Sequence, residues 1–244
     1  MTIINVPSLG TGATLGGDGH APLSAFKIPA TSRAGLQRGF FFGSGTLQDF
    51  SDNEVLATAV GAPTRTAGGY SCDPSNHFDL GVADTEQVSM LIIARRTTTV
   101  ATGYFGNFKY IDSITPPIGA GFWSNNGGSS MAFSAGRTGT LGPQASIASA
   151  LDSWGLYLGR ARTSLGTVID NLTAGTVNTN SGVAGIVRLT NAQNITAGAV
   201  DGLIYDGAPE VALGLVWNRF LDDSEKPALT TWARAYAAAL GITV

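Results

Sequence analysis

Short apolar stretches separated by turn residues fill most of the chain, from residue 39 to residue 216. The separators are rich in Gly and Asn, which supply the positive-φ positions that tight turns require. About a dozen short strands at this spacing are typical of an all-β sandwich or barrel. The predicted strands cover residues 40–42, 55–60, 77–80, 88–95, 104–110, 121–123, 131–134, 153–162, 167–171, 186–189, 200–205 and 211–218.

One stretch, residues 88–94, is almost continuously apolar instead of alternating. A continuous run favours a strand that is buried on both faces. Two packed sheets, with loops over one of them, would bury it in this way. Trp154 and Trp217 lie on predicted strands and Trp232 lies on a helix face, so all three are predicted to belong to the core.

The last part of the chain changes from strands to a helix. Apolar residues recur there with helical spacing, at Leu229, Trp232, Ala233, Tyr236, Ala237 and Leu240. Asp222 or Ser224 can cap the start, and Pro227 suits the first turn. Gly241 ends the pattern as a C-cap would. The sequence therefore predicts one closing helix at about 223–240.

The first 38 residues form a separate region in this interpretation. They are rich in Gly, Pro, Thr and Ser, and residues 10–19 contain five Gly. We predict an extended arm over 1–38, with at most one short strand at 3–6, and a sandwich over 39–244. Because an arm needs a neighbour to hold it, this region points to a homo-oligomer or a larger assembly.

Composition excludes several classes of protein. The 244 residues carry 13% charged side chains and a net charge of −3, with no basic stripe, so nucleic-acid binding is not expected. The single Cys72 excludes an intrachain disulfide and a multi-cysteine zinc site. No apolar run is long enough to span a bilayer. The start lacks the features of a signal peptide, so we expect synthesis in the cytoplasm without export by that route.

Residues 214–225, Gly-Leu-Val-Trp-Asn-Arg-Phe-Leu-Asp-Asp-Ser-Glu, place a strand before an acidic helix start. This segment resembles the closing segment of concanavalin A-like lectin/glucanase domains, the laminin-G-like jelly rolls. Residues 49–53 resemble the turn that follows the first strand in that family, and Asp170-Asn171 resembles its "vDG" hairpin edge. The resemblance covers about 40–244. It implies a jelly-roll β-sandwich with one C-terminal α-helix, a fold that hosts lectins, hydrolases, lyases and structural modules.

A second resemblance concerns the kind of assembly in which the protein is expected. A chain with one cysteine, abundant Gly, Thr and Ala and an extended N-terminal arm is similar to tailed-bacteriophage virion proteins that carry this sandwich. It implies a tail, fibre or decoration component located in the virion. The expected partners are other virion proteins, contacted through the arm, and bacterial surface polysaccharide.

Catalytic patterns are weak in this sequence. Glucanases of the resembled family carry an E-x-D-x-E strand motif. This chain has four Glu residues, and none of them starts such a motif. They are Glu54, Glu86, Glu210 and Glu225. Ser75, His77 and Asp79 could share one strand face and are the only triad-like set. A lyase would need a Tyr, a His and a basic residue together, for which Tyr104, Tyr110, Lys109 and His77 are available. We predict no enzyme activity and no cofactor.

Two small oxygen clusters could in principle bind calcium. They are Asp49 with Asp52 and Asn53, and Asp170 with Asn171. Both are explained by turn formation, so no metal site is predicted.

Aromatic residues beside amides give the remaining candidate site, because sugars pair apolar faces with polar rims. Trp123 with Asn125 and Asn126 is the first such patch, and Tyr104 with Asn107 is the second. We predict glycan binding at these five residues.

Two other functions remain open beside the virion structural or adhesion protein. One is a stand-alone carbohydrate-binding module, which would be a monomer. The other is a polysaccharide-degrading enzyme, against which the missing glucanase motif counts.

Overall fold

The computed structural model describes residues 27–51, 53, 55–181, 186–200 and 205–244. Fifteen strands and one α-helix follow one another in this part of the chain. In order they are β1 (Leu36–Phe40), β2 (Thr58–Val60), β3 (Thr64–Arg65), β4 (Tyr70–Ser71), β5 (His77–Ala83), β6 (Val88–Arg96), β7 (Thr102–Gly106), β8 (Ala120–Ser124), β9 (Ser130–Ala135), β10 (Gln144–Ala148), β11 (Gly155–Arg162), β12 (Gly166–Asn171), β13 (Thr176–Ser181), β14 (Asn194–Ala197), β15 (Pro209–Trp217) and α1 (Lys226–Ala239).

The strands form two antiparallel sheets. One has eight strands in the order β13-β12-β11-β6-β15-β4-β3, with β1 also paired to β15. The other has seven strands in the order β10-β9-β8-β7-β14-β5-β2. The described residues therefore form an all-β jelly-roll sandwich closed by one C-terminal α-helix, as the sequence predicts.

The main core lies between the sheets, and strand alternation supplies it. Along β6, Met90 and Ile92 point into this core, where they meet Phe105, Phe122 and Phe133 from the seven-stranded sheet. All these side chains are fully or almost fully buried.

A second core lies on the outer face of the eight-stranded sheet. Leu91 and Ile93 of β6 point this way and pack with the apolar face of α1, which includes Leu229, Trp232 and Tyr236. The predicted burial of 88–94 on both faces is thus confirmed, but the helix provides the cover that the sequence analysis assigns to loops.

The start of α1 confirms the capping prediction. Asp222 and Glu225 form a reciprocal capping box, Pro227 lies in the first turn, and Gly241 has a positive φ of 72° beyond the end. The Glu225 carboxylate also accepts two hydrogen bonds from Arg219, at 2.8 and 2.6 Å. These contacts fix where the helix leaves the sheet.

Most strand predictions agree with the structure to within a few residues, but some are wrong. Residues 186–189 form one isolated bridge at Arg188 instead of a strand. The first strand ends at Phe40, and residues 42–44 form a 3₁₀ turn. Residues 201–204 of the predicted strand 200–205 lie outside the described residues. Five strands are not predicted from the sequence: β3, β4, β10, β13 and β14.

The predicted boundary at residue 38 falls inside a strand. Strand β1 begins at Leu36 and pairs with β15, and Ile28 is buried in the second core. Residues 27–38 therefore belong to the sandwich, because burial and strand pairing hold them there. The predicted arm over 1–26, with the short strand at 3–6, lies outside the described residues.

Within the described ranges, α1 is too short and too polar to cross a membrane.

Candidate functional site

An open groove of about 280 Å³ lies on the outer face of the seven-stranded sheet. Strand alternation places its walls. In β5, Phe78 and Leu80 point into the core, which leaves His77 on the outer face. In β14, Ile195 and Ala197 point inward, which leaves Asn194 and Thr196 outside.

Polar and apolar groups share the lining of this groove. Gln193 and Asn194 are exposed, His77, Lys109 and Thr196 are half-buried, and Phe108 is buried. The full set of lining residues is Pro74, His77, Gly106, Asn107, Phe108, Lys109, Gln193, Asn194, Thr196, Ala199 and Val200.

Several polar groups of the groove have no hydrogen bond to the described part of the protein. They are the side-chain amide of Gln193, the ammonium group of Lys109 and the buried Nδ1 of His77. Asn194 uses only its amide nitrogen, which donates to Asp79 at 3.1 Å. The hydroxyl oxygen of Thr196, in contrast, lies 3.0 Å from the Gly106 carbonyl and 2.5 Å from the Ala199 carbonyl, which share its one hydrogen, so the hydroxyl shapes the wall.

A buried polar network supports one wall. The side-chain amide nitrogen of Asn107 donates to the carbonyls of Asn191 at 3.1 Å and Gln193 at 2.7 Å, and to Asp84 at 3.2 Å. Asp84 in turn accepts from the Arg188 guanidinium and from the Asn191 amide. Asn107, predicted as a glycan ligand, is 6% exposed and acts here through the position of Gln193.

The predicted aromatic residues are both buried. Trp123 is 8% exposed, donates from Nε1 to Ser134 at 2.8 Å and packs on Tyr205 with ring centroids 5.3 Å apart. Tyr104 is 1% exposed, its hydroxyl lies 3.1 Å from that of Ser124, and desolvation raises its pKa. The Tyr104 ring therefore offers no face to a ligand, because the sheets enclose it.

Trp123 nevertheless lies beside the groove. It belongs to an apolar cluster on the outer face of the sheet that includes Phe108 and Val200, and both of these line the groove. The structure thus brings Trp123 and Asn107 to the same sheet face, although each of them is covered by neighbouring residues.

Asn125 and Asn126 lie in the turn between β8 and β9, and both are exposed. The Asn126 side chain accepts a hydrogen bond from the Ala101 amide at 2.5 Å. Gly127 follows with φ of 61°, as this tight turn requires. Glycan binding by these two residues stays a prediction.

The triad-like set does not assemble as a catalytic unit. His77 and Asp79 share the outer face of β5, but Ser75 lies in the preceding turn, where its amide donates to Asp73 at 2.7 Å. Asp79 accepts from the Gly81 amide at 2.7 Å and from Asn194. Over the described ranges, no hydrogen bond joins any two of Ser75, His77 and Asp79.

Three other carboxylates that the sequence singles out have structural partners, whereas Glu86 is exposed and Glu54 lies outside the described residues. Glu210 accepts from Arg95 at 2.6 Å, and Glu225 holds the start of the helix. Asp170 accepts from Arg160 at 2.9 Å and from Lys226 at 2.8 Å. The oxygens of Asp170 therefore already face two cations.

Asp49 ties a turn together in the other predicted oxygen cluster. It accepts from the Gly39 and Ser51 amides, each at 2.8 Å, and burial raises its pKa. Asp52 lies outside the described residues. Among the described residues, no group of three or more His, Cys, Asp or Glu side chains could bind a metal ion.

Sequence reasoning misses the groove itself. Its residues come from the turn before β5, the segment after β7 and the strand β14, which is not predicted. The only available signal is the alternation Asn194-Ile195-Thr196-Ala197, which is typical of a strand with one polar face.

No protein-family model and no curated protein matches the chain. Solved structures do match. Trypanosoma rangeli sialidase in complex with sialic acid superposes with a TM-score of 0.56 at 13% identity, over 83% of this chain and 33% of the sialidase. A mutant of that sialidase with trans-sialidase activity gives a TM-score of 0.59 at 12% identity, over 88% and 35%.

The receptor-binding domain of botulinum neurotoxin D is similar as well, with a TM-score of 0.56 at 7% identity, over 82% of this chain and 53% of that domain. The chain thus spans about a third of the sialidase and about half of the toxin domain. At these identities the likeness shows the fold alone. It confirms a β-sandwich of the lectin-like kind.

Proposed function

We propose that this protein is a non-catalytic glycan-recognition module, and that its binding site is the groove on the seven-stranded sheet. The observation that carries the proposal is the set of unused polar groups in this groove. Gln193, Asn194 and Lys109 present amide and ammonium groups to solvent. The apolar part of the lining is the half-buried Pro74, with the buried Phe108 and Val200 behind the surface.

This combination suits a sugar. Hydroxyl rims need amide donors and acceptors, and an apolar wall suits the CH face of a sugar ring. A volume of about 280 Å³ is close to the lower end of small-molecule sites, which fits one sugar residue of a longer chain. The groove is open, so the rest of the chain can continue along the sheet.

Similar proteins support a recognition role. One solved neighbour is a sialidase in complex with sialic acid, and another is a botulinum neurotoxin binding domain in complex with SialylT. The second is described as a binding domain, which agrees with a sandwich that recognises a ligand without chemistry.

The carboxylates support a non-catalytic role. Glycosidases commonly use two carboxylates that flank the scissile bond. Glu210, Glu225 and Asp170 are each tied to a cation in this protein, and none of the three lines the groove.

The finer setting is also a proposal. It is a tail, fibre or decoration component of a phage-type virion, a homo-oligomer whose N-terminal segment before residue 27 contacts other virion proteins and whose sandwich binds host surface polysaccharide. Size-exclusion chromatography with light scattering tests the assembly, and a strict monomer would rule out the proposed homo-oligomer.

The binding experiment uses labelled protein with intact bacterial cells and a polysaccharide panel. We expect Lys109→Ala and Asn194→Ala to weaken saturable binding by about tenfold each, which is about 1.4 kcal/mol. Asn125→Ala is the matched control, because it removes an exposed amide from the turn between β8 and β9, outside the groove lining. Binding lost in Asn125→Ala and kept in the groove variants would move the site to the Trp123 turn. Absence of binding up to millimolar ligand would overturn the glycan proposal.

A polysaccharide lyase is the second candidate, because one specific observation favours it. His77 and Lys109 both line the groove. His77 could act as a general base, and the Lys109 cation could neutralise a uronic acid carboxylate. Tyr104 does not join them, since it is in the core. Incubation with uronic acid polysaccharides tests this activity through the ultraviolet absorbance of an unsaturated product, which should be lost in His77→Ala.

A further inference from the structure

The positive charge of the groove is not compensated by the protein. Lys109 is the only Lys, Arg, Asp or Glu among the described residues that line the groove. Over the ranges that the structure describes, no carboxylate oxygen lies within 4 Å of its ammonium group. Lys226, which is also half-buried, faces Asp170 at 2.8 Å and Asp223 at 3.0 Å. The Lys109 ammonium group is therefore available to an anion from solution.

The backbone at Lys109 is fixed, although the side chain has no partner. Lys109 and Ile118 form an isolated antiparallel bridge and exchange hydrogen bonds of 2.8 and 3.0 Å. Phe108, directly before the lysine, is buried and donates from its amide to the Ala120 carbonyl at 3.0 Å. The lysine therefore extends from a rigid wall, which reduces the entropy that is lost when it binds a ligand.

The side-chain amide of Gln193 belongs to the same part of the groove. Strands β7 and β14 are antiparallel, so the segment after β7, with Lys109, runs beside the segment before β14, with Gln193. The side chain of Asn107 ties these segments together, because it donates to the Gln193 carbonyl at 2.7 Å. Gln193 is exposed, so its amide donors are accessible. A charged ammonium group and a neutral amide donor are thus held in neighbouring positions.

The carboxylates near the groove lie on its other side, at β5. Asp79 shares a strand face with His77 and accepts from Asn194 at 3.1 Å, and Asp73 accepts from the Asn76 side chain at 2.9 Å. Neither carboxylate lines the groove. Strand β14 separates β5 from β7, so these negative charges disfavour an anion beside His77 and leave the Lys109 side as the place for one.

We propose that the groove selects acidic glycans, and that the carboxylate of a uronic acid residue binds between Lys109 and Gln193. This inference rests on the proposed glycan-recognition function and names its substrate class. One carboxylate oxygen accepts from the ammonium group and the other accepts from the amide. A charge-assisted hydrogen bond is stronger than a neutral one, so the acidic unit sets the preference of the site.

The first experiment compares polygalacturonate, alginate and hyaluronate with their carboxyl-reduced forms. We expect the wild type to bind at least one acidic polymer about tenfold more tightly than its reduced form. The net charge of the protein is −3, so non-specific attraction to a polyanion is not expected to produce this difference. Equal affinity for both forms, or binding of neutral polysaccharides alone, would overturn the inference and leave the glycan groove in place. Absence of binding to every polysaccharide would overturn the proposed function as well.

The second experiment uses variants against the same pairs of polymers. Lys109→Gln removes the charge and should lose the preference for the acidic form, whereas Lys109→Arg should keep it. Gln193→Glu adds a carboxylate and should weaken binding of the acidic form more than binding of the reduced form. Lys27→Gln is the matched control, because Lys27 is exposed and adjoins Ile28 in the core beneath α1, and it should behave as the wild type does.

Two results would show attraction to charge without selection of a sugar carboxylate. One is an equal loss of the preference in Lys27→Gln and Lys109→Gln. The other is binding of dextran sulfate as tight as that of the best uronic acid polymer. Either result would overturn the inference.

Discussion

The outer faces of the two sheets differ in how far other residues cover them. On the eight-stranded sheet, α1 covers the centre and builds a second core around Trp217, Trp232 and Tyr236, which are buried. On the seven-stranded sheet, a small apolar cluster around Trp123 covers one part, and beside it the groove stays open.

This difference separates stability from recognition. Apolar residues of the covered face contribute by leaving water, whereas the polar residues of the open face have hydrogen-bonding capacity to spare. Changes on the covered face should therefore destabilise the protein, and changes to the exposed polar side chains of the groove should alter binding alone.

The largest effect is expected from Leu229→Ala on the covered face. Leu229 is fully buried between α1 and the eight-stranded sheet. Removing its side chain leaves a cavity, at an expected cost of about 2–5 kcal/mol in the free energy of unfolding. Chemical denaturation measures this loss of stability. Thr231→Ala is the control, because Thr231 is exposed, and its free energy of unfolding should stay within about 0.5 kcal/mol of wild type. Equal costs for both variants would mean that the helix does not stabilise the sheet.

The next largest loss of stability is expected from a change in the apolar cluster around Trp123, which covers part of the seven-stranded sheet. A Cβ at Gly103 would lie 2.5 Å from the backbone nitrogen of Val200 and 2.8 Å from its Cβ. Gly103→Ala should therefore displace the residues at Val200, at a cost of about 1–3 kcal/mol, and loosen the packing on Trp123. Tryptophan fluorescence and denaturation would detect both changes. Gly142→Ala, whose added Cβ would come no closer than 3.6 Å to its nearest neighbour, should change neither.

The sequence predicts the covered face better than the open one. Helical spacing from Leu229 to Leu240, the cap at Asp222 and the stop at Gly241 are local signals, and the structure confirms them. The continuous run at 88–94 predicts burial on both faces. It does not predict that a helix provides the cover, because packing between distant segments leaves no local mark.

The groove could not be predicted in the same way. It joins the segment after β7 to β14 and β5, which lie far apart in sequence, and β14 is too short to stand out. The same limit explains why the burial of Tyr104 and Trp123 could not be predicted from the sequence. A strand aromatic followed by amides looks the same in sequence whether the ring faces solvent or the interior of a sandwich, and here both rings are buried.

The charge pair at the helix start should give a smaller, pH-dependent effect. Hydrogen bonds from Arg219 hold the pKa of Glu225 below its usual value. A lowered carboxyl pKa adds stability above the unfolded-state pKa, and this stability is lost as the pH falls through the folded-state pKa. Glu225→Gln should therefore cost about 1–2 kcal/mol at neutral pH. The cost should shrink as the pH falls below about 4.

Unfolding of wild type and Glu225→Gln across this pH range is the measurement. Glu86→Gln is the matched control, because Glu86 is exposed, and it should show little change at any pH. A cost for Glu225→Gln that stays constant down to the acid limit would show that shape, and not charge, fixes the start of the helix.

The smallest effect on stability is expected in the groove, where the contrast between the two faces is tested most directly. Lys109→Ala and Gln193→Ala remove side chains whose polar groups bond to no described residue, so each should change the free energy of unfolding by less than about 0.5 kcal/mol. Asn107→Ala should behave differently, because it removes the support of the wall. The carbonyls of Asn191 and Gln193 lose their Asn107 donor, whereas Asp84 keeps its bonds from Arg188 and from the Asn191 amide. We expect Asn107→Ala to cost about 1–3 kcal/mol and to weaken glycan binding indirectly. If Lys109→Ala destabilised the fold as much as Asn107→Ala, the groove would be part of the structural framework, and the separation between a face for stability and a face for recognition would be wrong.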